Sequence, residues 1–580
     1  MAKKRIVYGN ANYADLVQKQ GYFVDKTPYI AQLELVENPV YLRPRRFGKS
    51  MFCSLLQYYY DRNAADHFDT LFGQTWIGQH PTGHQNQYMV LSLNFSSVEV
   101  GATLSQLEQN FQSQCNSSLR TLVRRNADLF ADLPVMETVG SVSNHLRQIL
   151  DFIQSEGLPP LFIIIDEYDN FANHLITTNQ DQRYYDLTAD DSFFKPFFKT
   201  LKAGREQGTI ANVFITGILP ITMDDLASAF NVATYLTLDP MFEALAGFTQ
   251  AEVDRLLDEI YADYPLDLAT RPEISALIKN HYDGYHFASH EGEPLYNATS
   301  LMYFLRELTI YGKPPEFLTD LNLRTDLFWV RRLTGSNPTN TENFIETLIT
   351  ENHIDYNRNL LVTKFNLSQF FEPTFYPIAF FYLGMLTRLD NFALTLPNVN
   401  MRQIFAQYFD ELHHIDVETR YSAIMTAFIN HPNLEQLFAG YWKEYVSQLP
   451  EAIFAKMNEN FYRTTFFELC TRFLSPWFTW HLERSYPQGK SDLEFVGKYN
   501  EKYANLRWVI EFKYYSNTEF KKFDTTIADF QLQEEDTEQI NGYAAGLRQE
   551  FPRAHIECYV IYCIGNQGFR VFAIKKEEQQ

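Results

Sequence analysis

One stretch of the sequence decides the fold of the first part of the chain: Val40-Tyr41-Leu42-Arg43-Pro44-Arg45-Arg46-Phe47-Gly48-Lys49-Ser50. It predicts a short apolar strand, a basic loop, and a helix that opens with Gly-Lys-Ser and continues to Tyr60. In a phosphate-binding loop, backbone N–H groups at the helix start cradle the phosphates, the lysine reaches the outer phosphate oxygens and the hydroxyl holds magnesium. Gly48, Lys49 and Ser50 are the candidates for these tasks, which predicts ATP and Mg²⁺ as ligands.

The loop departs from the general phosphate-binding pattern at its first position. Arg43 stands where GxxxxGK[ST] has its first glycine, so a chance Gly-Lys-Ser in a surface loop remains an alternative. Arg45 and Arg46 lie within the loop and are candidates for neutralising phosphate charge, as guanidinium groups do well. A solvated basic turn is the alternative for these two arginines.

A second apolar run supplies the acidic half of such a site. Leu161 to Ile165 predicts a buried parallel strand, and Asp166 and Glu167 follow it at the sheet edge where ligands bind. Asp166 would hold the magnesium through water, and Glu167 would orient or polarise the attacking water. Thr216, at the end of a later apolar run, is a candidate polar sensor near the terminal phosphate. The alternative for Asp166 and Glu167 is a buried strand that ends in a solvated acidic turn, and the alternative for Thr216 is a plain strand end.

The order and length of the apolar and mixed segments around these motifs predict the domain organisation. From Pro39 to about Gly217, short apolar runs alternate with longer mixed segments, as in a parallel sheet covered by helices. Mostly helical segments follow, one of them with Thr249 as its N-cap, and then strand-like segments return near the C-terminus. The predicted units are a P-loop domain at residues 1–220, a helical lid at 221–310, a helix-rich middle region of unknown role at 311–449 and a second α/β unit at 450–580.

The last unit carries a second candidate site in the run Arg507-Trp508-Val509-Ile510-Glu511-Phe512-Lys513. Alternate residues of a strand share a face, so Glu511 and Lys513 lie side by side while the apolar residues cover the opposite face. If the upstream strand that bears Asp492 pairs with this one, the two carboxylates converge and can bind a hard divalent cation, Mg²⁺ or Mn²⁺. Lys513 would help to position or activate water and offset charge on a phosphate.

This D…ExK arrangement is that of metal-dependent phosphodiester cleavage, with Asp492, Glu511 and Lys513 as the catalytic candidates. ExK alone is common, and a salt-bridge ladder on a strand surface is its alternative explanation. Glu459, at the start of the preceding helix, and Glu483 are further acidic candidates, each with a structural or solvated role as the alternative.

Composition limits the classes of protein to which this chain can belong. The 580 residues, 45% of them apolar, imply about three to five globular units. The net charge of -22 excludes a basic protein that coats nucleic acid, so any nucleic-acid contact must be local. The five scattered cysteines favour a reducing compartment, and no secretory signal or membrane span is apparent, so we expect a soluble, cytoplasmic protein.

The sequence resembles a bacterial family that joins an AAA-ATPase-like domain to a C-terminal PD-(D/E)xK nuclease-like domain. The motifs that carry the resemblance are Tyr22-Phe23-Val24-Asp25-Lys26-Thr27, the loop from Arg43 to Ser50, Ile165-Asp166-Glu167-Tyr168-Asp169, Phe214-Ile215-Thr216-Gly217, Tyr282-Asp283-Gly284-Tyr285, Leu295-Tyr296-Asn297 and Leu396-Pro397-Asn398. In that family the first loop glycine is replaced, as it is here. The resemblance also implies a nuclease-like centre formed by Glu459, Asp492, Glu511, Lys513 and Gln539. Glu459, Asp492 and Glu511 are its candidate metal ligands.

The resemblance implies an α/β protein with a P-loop NTPase-like parallel sheet, a helical lid and a restriction-endonuclease-like C-terminal domain. Its function is then an ATPase coupled to a nuclease that acts on DNA or RNA. The alternative is a nucleotide-switched interaction protein whose nuclease-like domain is an inactive scaffold. Membrane partners are not expected, and the sequence leaves oligomerisation open.

Overall fold

The computed structural model describes residues 3–135, 140–190, 192–226, 228–318, 327–336, 338–363, 365–417, 421–486, 489–498 and 501–574. The strands are β1 Pro39–Leu42, β2 Met89–Asn94, β3 Leu161–Asp166, β4 Ile210–Gly217, β5 Thr234–Tyr235, β6 His353–Asp355, β7 Thr387–Arg388, β8 Ala393–Thr395, β9 Phe478–Tyr486, β10 Gly489–Gly497, β11 Leu506–Tyr515, β12 His555–Ile564 and β13 Gly568–Ile574.

The α-helices up to the end of the lid are α1 Tyr13–Gln18, α2 Pro28–Leu33, α3 Lys49–Tyr60, α4 Phe68–Phe72, α5 Trp76–Gln79, α6 Leu104–Arg125, α7 Val142–Glu156, α8 Asn170–Thr177, α9 Asp181–Thr188, α10 Phe194–Glu206, α11 Ile221–Asp225, α12 Gln250–Asp263, α13 Arg271–Tyr282 and α14 Ala298–Tyr311. The later helices are α15 Leu327–Ser336, α16 Pro338–Glu351, α17 Leu367–Phe370, α18 Tyr376–Tyr382, α19 Val399–Leu412, α20 Ser422–Asn430, α21 Leu434–Glu444, α22 Glu451–Phe454, α23 Glu459–Leu474, α24 Asn517–Phe520 and α25 Glu534–Glu550.

The first sheet is parallel, with the strand order β2-β3-β4-β1-β5. All six residues of β3 are buried, as expected of a strand that helices cover on both faces. Its four longer strands and the parallel arrangement are confirmed, whereas the short β5, which follows residue 220, was not predicted. Because all strands run the same way, their carboxyl ends bring the loop after Leu42, Asp166 and Thr216 to one edge of the sheet.

The lid residues are mostly helical, and the predicted cap is confirmed. Thr249 accepts a hydrogen bond from the N–H of Glu252 while the Glu252 carboxylate accepts from the N–H of Thr249, which is a capping box at the start of α12. The lid helices α12, α13 and α14 bury an apolar cluster of their own, and Tyr22 from the N-terminal segment packs into it. The first domain and the lid are therefore joined by packed side chains.

The described part of the middle region is mostly helical and includes a small antiparallel sheet of order β6-β8-β7, which was not predicted. Its most apolar segment forms the short helix α18, all of which is buried. No helix within the described parts of the chain is both long enough and apolar enough to cross a membrane.

The C-terminal unit is a mixed sheet of order β13-β12-β11-β10-β9, in which only the β11–β12 pair is parallel. The predicted alternation along β11 is confirmed: Trp508, Ile510 and Phe512 enter the large core, whereas Val509 packs into a separate cluster with α25. The outer strands β9 and β13 were not predicted. One face of β11 thus packs into the large core, and the other combines an apolar cluster with the charged side chains of Glu511 and Lys513.

Candidate functional site

The loop between β1 and α3 has the backbone that phosphate binding requires. Arg46 and Gly48 take left-handed conformations, with φ of 71° and 101°, immediately before α3 begins at Lys49. Glycine avoids the steric strain of this conformation at position 48. The N–H groups of the first helical turn have no intrahelical acceptor, so the start of α3 is suited to bind an anion.

Lys49 lies inside this loop with its side chain buried. Its Nζ donates hydrogen bonds to the carbonyl oxygens of Arg43 and Pro44, each at 2.8 Å. Burial lowers the pKa of Lys49, and the nearby carboxylates of Asp166 and Glu167 oppose that shift. The ammonium group therefore lies between the loop and the acidic end of β3, where the sequence predicts it.

The acidic end of β3 forms a hydrogen-bonded cluster. Thr216 donates its hydroxyl hydrogen to Oδ1 of Asp166 at 2.6 Å, and Asn94 donates to Oδ2 at 3.4 Å. Glu167 adopts a left-handed backbone with φ of 52°, and burial, followed by the charge of Asp166, raises its pKa. Thr216 is fully buried and contacts the carboxylate of Asp166, so its predicted role as a sensor would operate through that carboxylate.

A cavity of about 400 Å³ joins these groups to an apolar compartment. Lys49, Ser50 and Glu167 lie on its polar side, with Arg45 and Arg46. The apolar part of its lining includes Val7, Phe23, Phe248 and Met302. A cavity lined by cationic side chains and by aromatic and aliphatic ones fits a ligand that combines phosphates with a flat ring.

Arg43, at the position of the missing glycine, has a structural role. Its guanidinium is buried over the rings of Tyr41 and Phe287, and it donates to the carbonyl oxygen of Thr237 at 2.7 Å. It also pairs with Glu243. The Glu243 carboxylate accepts hydrogen bonds from the backbone N–H groups of Phe287 and Ala288. Within the described part of this loop, positive φ occurs at Arg46 and Gly48 and not at Arg43. Position 43 therefore does not need glycine.

Two polar residues of this site were missed from the sequence. Asn94 ends β2 directly opposite Asp166, and its position after an apolar run was the signal that could have identified it. Asp169 accepts hydrogen bonds from the N–H groups of Ile218 and Leu219, at 3.1 and 2.9 Å, and so fixes the turn after Thr216. No local pattern could have assigned that contact, because its partners are distant in sequence.

The second candidate site forms where β10 pairs with β11. Asp492 accepts the N–H of Phe512 through Oδ2 at 2.7 Å, which places its carboxylate next to that of Glu511. Lys513 Nζ lies 3.0 Å from Glu511 Oε1 and 3.3 Å from Gln539 Oε1. Gln539, on α25, also donates to Glu511 Oε1 at 2.8 Å. The structure thus brings together four of the residues that the sequence predicts for this centre.

The carboxylates of this centre lose solvation on burial, which disfavours their ionised forms. Burial, followed by the charge of Asp492, raises the pKa of Glu511 to about 8. Burial also raises the pKa of Asp492, and the same two causes, burial and Asp492, raise that of Glu459 to about 7. Burial alone would lower the pKa of Lys513, but Glu511 and Glu459 raise it instead.

The predicted metal ligands are assembled only in part. Within the described ranges, no group of three or more Asp, Glu, His or Cys side chains stands ready to hold a metal ion. Asp492 and Glu511 are neighbours, whereas Glu459, at the first turn of α23, interacts with them through charge rather than as a third assembled ligand. Oε2 of Glu511 is buried and accepts no hydrogen bond from the described residues, so one oxygen of the pair is available to a cation.

Arg463 is the member of this centre that sequence reasoning missed. Its Nη1 donates to Asp492 Oδ1 at 2.9 Å, and its Nη2 lies 2.9 Å from Glu483 Oε1. Glu459 and Arg463 are one helical turn apart on α23, and this spacing was a usable signal. Glu483 is accordingly a charged structural residue, in line with the alternative considered for it.

Comparisons with known proteins match two separate segments of the chain. Residues 7–227 match a family model described as a predicted AAA-ATPase, and residues 457–573 match the PD-(D/E)XK nuclease superfamily. The chain is also similar to an uncharacterized protein in the vnfD 5'region of Azotobacter chroococcum mcd 1. The identity is 23% over 350 residues, which cover 55% of this chain and 56% of that protein, so the chain spans about half the length of this curated relative. The chain therefore carries an AAA-ATPase-like domain and a C-terminal PD-(D/E)xK nuclease domain.

Proposed function

We propose that the protein binds and hydrolyses ATP at the loop of Lys49 and cleaves DNA or RNA at the centre of Asp492. The single observation that carries the nuclease part is the contact set of Glu511, Lys513 and Gln539 beside Asp492 on one face of the C-terminal sheet. Such a set combines oxygen ligands for a cation with a fixed positive charge for a phosphate.

The residues of the nuclease centre fit a divalent cation. Asp492 and Glu511 would hold it, because their carboxylates adjoin, burial raises both pKa values, and Oε2 of Glu511 lacks a hydrogen-bond donor. Bound Mg²⁺ or Mn²⁺ would supply Lewis acidity and lower the pKa of a water. Lys513 holds a proton throughout the neutral range and would orient a substrate phosphate, while Gln539 holds Glu511 in place.

The residues of the first site fit ATP and Mg²⁺. Lys49, which now donates to two loop carbonyls, would turn to the outer phosphate oxygens, and Arg45 and Arg46 border the same cavity. Ser50 and Asp166 would hold the cation that accompanies the phosphates. Glu167 would orient the attacking water, and its raised pKa makes it a stronger proton acceptor than an ordinary carboxylate.

The environment we propose is the cytoplasm. All five cysteines of the chain are free and buried, with no disulfide among them. That state supports a reducing compartment.

The second candidate function, a nucleotide-switched interaction protein with an inactive nuclease-like scaffold, is favoured by one observation. Oδ1 of Asp492 is already paired with Arg463, so a cation would have to share that carboxylate. The net charge of -22 also opposes the approach of a polyanion.

The two functions are separated by measuring cleavage and nucleotide binding on the same preparations. Plasmid DNA, linear DNA and RNA are incubated with Mg²⁺ or Mn²⁺ and ATP, and ATP binding is measured by calorimetry. We expect Asp492→Asn to abolish cleavage and keep ATP binding, and Lys49→Ala to lose ATP binding. Asp529→Asn, at an exposed carboxylate of the same domain, is the matched control. Cleavage that survives in Asp492→Asn contradicts the proposed centre, and ATP binding without cleavage of any substrate favours the scaffold.

A further inference from the structure

Helix α19 of the middle region lines a cavity with the phosphate loop and forms an ion pair with the nuclease domain. Met401 and Ile404 line a small cavity together with Pro44 and Phe47 of the phosphate loop. Arg402, between them in the sequence, donates from Nη2 to Oε2 of Glu483 on β9 of the nuclease domain, at 3.1 Å. One helix turn thus borders a cavity of the phosphate loop and is bonded to the nuclease sheet. Neither family match covers this helix.

The start of α19 is fixed to the end of lid helix α13. Asn398 caps α19 and donates from Nδ2 to the carbonyl oxygen of Asp283 at 2.9 Å. At the same junction, a Cβ on Gly284 would lie 1.9 Å from the carbonyl oxygen of Pro397, so the two backbones are in direct contact. These residues belong to the motifs Tyr282–Tyr285 and Leu396–Asn398, to which no chemistry was assigned above. Their role is to join the lid to α19.

The lid segment after this junction returns to the phosphate loop. The rings of Tyr285 and Phe287 lie edge-on to the ring of Phe47, at centroid distances of 5.0 and 5.3 Å. Phe47 immediately precedes Gly48 and Lys49, so a change of loop conformation on nucleotide binding must be accommodated by these rings. The lid segment and α19 would then move together, because both are attached to the same junction of Gly284 and Pro397.

On its other side, α19 begins a chain of alternating charges that ends at the nuclease centre. Arg402 contacts Glu483, Glu483 contacts Arg463 at 2.9 Å, and Arg463 contacts Asp492 at 2.9 Å. Burial alone would raise the pKa of Glu483, but Arg402 and Arg463 lower it. Glu483 has a left-handed backbone with φ of 52° in the middle of β9. Its two oxygens are divided between the two arginines, so a shift of either one changes the charge that the other presents.

We propose that Arg402 is a positioning residue for the nuclease carboxylate Asp492, acts on it through Glu483 and Arg463, and makes the metal centre respond to nucleotide at the phosphate loop. This inference rests on the proposed function. Without Arg402, Glu483 attracts Arg463 more strongly and Asp492 is neutralised less. The centre then becomes more negative and binds a divalent cation more tightly. Removal of the Glu483 charge has the opposite effect, because Arg463 then acts on Asp492 alone.

The first test measures cation binding rather than activity. The full-length, nucleotide-free protein is titrated with Mn²⁺, free Mn²⁺ is quantified by electron paramagnetic resonance, and Asp492→Asn identifies the share of binding that belongs to this centre. We expect Arg402→Gln to tighten this binding by roughly three- to tenfold, Glu483→Gln to weaken it by a similar factor, and Arg402→Lys to restore it. Damage to the fold would weaken binding in both variants. Arg332→Gln, which breaks an ion pair with Asp181 in the first domain, is the matched control and should stay within roughly twofold of the wild type.

The second test measures the response to nucleotide. Amide hydrogen exchange of 489–498 and 506–515 is compared with Mg²⁺ alone and with Mg²⁺ plus saturating ATP. The wild type should change its exchange on ATP addition, and Arg402→Gln should lose that change while binding ATP as before. The inference is overturned if Arg402→Gln matches Arg332→Gln in Mn²⁺ affinity, if the wild type shows no exchange response, or if the variant keeps it. If the wild type and Asp492→Asn bind the same amount of Mn²⁺, the proposed metal centre itself fails.

Discussion

Restoring the missing glycine of the phosphate loop should damage the protein rather than improve it. Arg43→Gly gives the loop the general GxxxxGKS pattern, and motif reasoning alone would expect equal or stronger nucleotide binding. The structure leads to the opposite expectation, since the Arg43 guanidinium is buried and connects the loop to the segments of Thr237, Glu243 and Phe287.

The magnitude follows from the contacts that are lost. Arg43 donates to the carbonyl oxygens of Thr237 and Glu243 at 2.7 and 3.2 Å, and hydrogen bonds from charged groups contribute about 1.5–3 kcal/mol each. Its positions over Tyr41 and Phe287 add about 0.5–2 kcal/mol each. The desolvation of the guanidinium offsets part of this sum, and the removal of one partner of a buried ion pair costs about 3–5 kcal/mol in comparable cases. We expect a loss of about 3–5 kcal/mol in the unfolding transition of the first domain.

The assay is urea denaturation without nucleotide, followed by titration with a fluorescent ATP analogue under native conditions. Arg45→Gly is the matched control, because Arg45 lies in the same loop, is only partly buried and borders the nucleotide cavity. It should reduce stability by about 1 kcal/mol or less and weaken ATP binding directly. Unchanged stability in Arg43→Gly, or tighter ATP binding, would refute the structural role of Arg43.

Two further substitutions test separate parts of the structure. Burial raises the pKa of Asp283 to about 6, so above that pH the folded protein holds an ionised carboxylate at a cost in stability. Asp283→Asn should therefore stabilise the protein by roughly 2–3 kcal/mol at pH 7.5, and this gain should shrink between pH 6 and 4. Urea denaturation at several pH values measures the gain. An equal gain at pH 4 and 7.5 would contradict burial as the cause. Lys513→Met should lower the rate of cleavage by roughly 10²–10³-fold and leave ATP binding intact. The control is Lys490→Met, at an exposed lysine of β10, which should cleave normally. Equal losses in both variants would argue against a specific role for Lys513.

Local sequence patterns were sufficient for the elements that create the two sites. The apolar runs before Arg43 and Asp166 predict β1 and β3 because parallel strands are buried on both faces. The alternation around Glu511 predicts β11 because Trp508, Ile510 and Phe512 share one apolar face, whereas Glu511 and Lys513 share the other. The outer strands β9 and β13 were not predicted, although Phe478, Trp480 and Leu482 alternate with polar residues at the start of β9.

Contacts between distant segments could not be predicted from the sequence. Arg43 reads as a defect in a motif, and its role depends on Thr237, Glu243 and Phe287, which other segments bring to it. Arg402 lies in a region for which no pattern indicated a chemistry, and its partner Glu483 reads as a solvated acid. A single sequence contains no signal for such pairings, because they depend on the packing of whole domains.

The most direct test of the metal centre is anomalous scattering from crystals of the full chain soaked in Mn²⁺. We predict an anomalous peak within coordination distance of carboxylate oxygens of both Asp492 and Glu511, and its loss in Asp492→Asn. Absence of Mn²⁺ at this position in wild-type crystals, with Arg463 still paired to Asp492, would contradict the nuclease assignment.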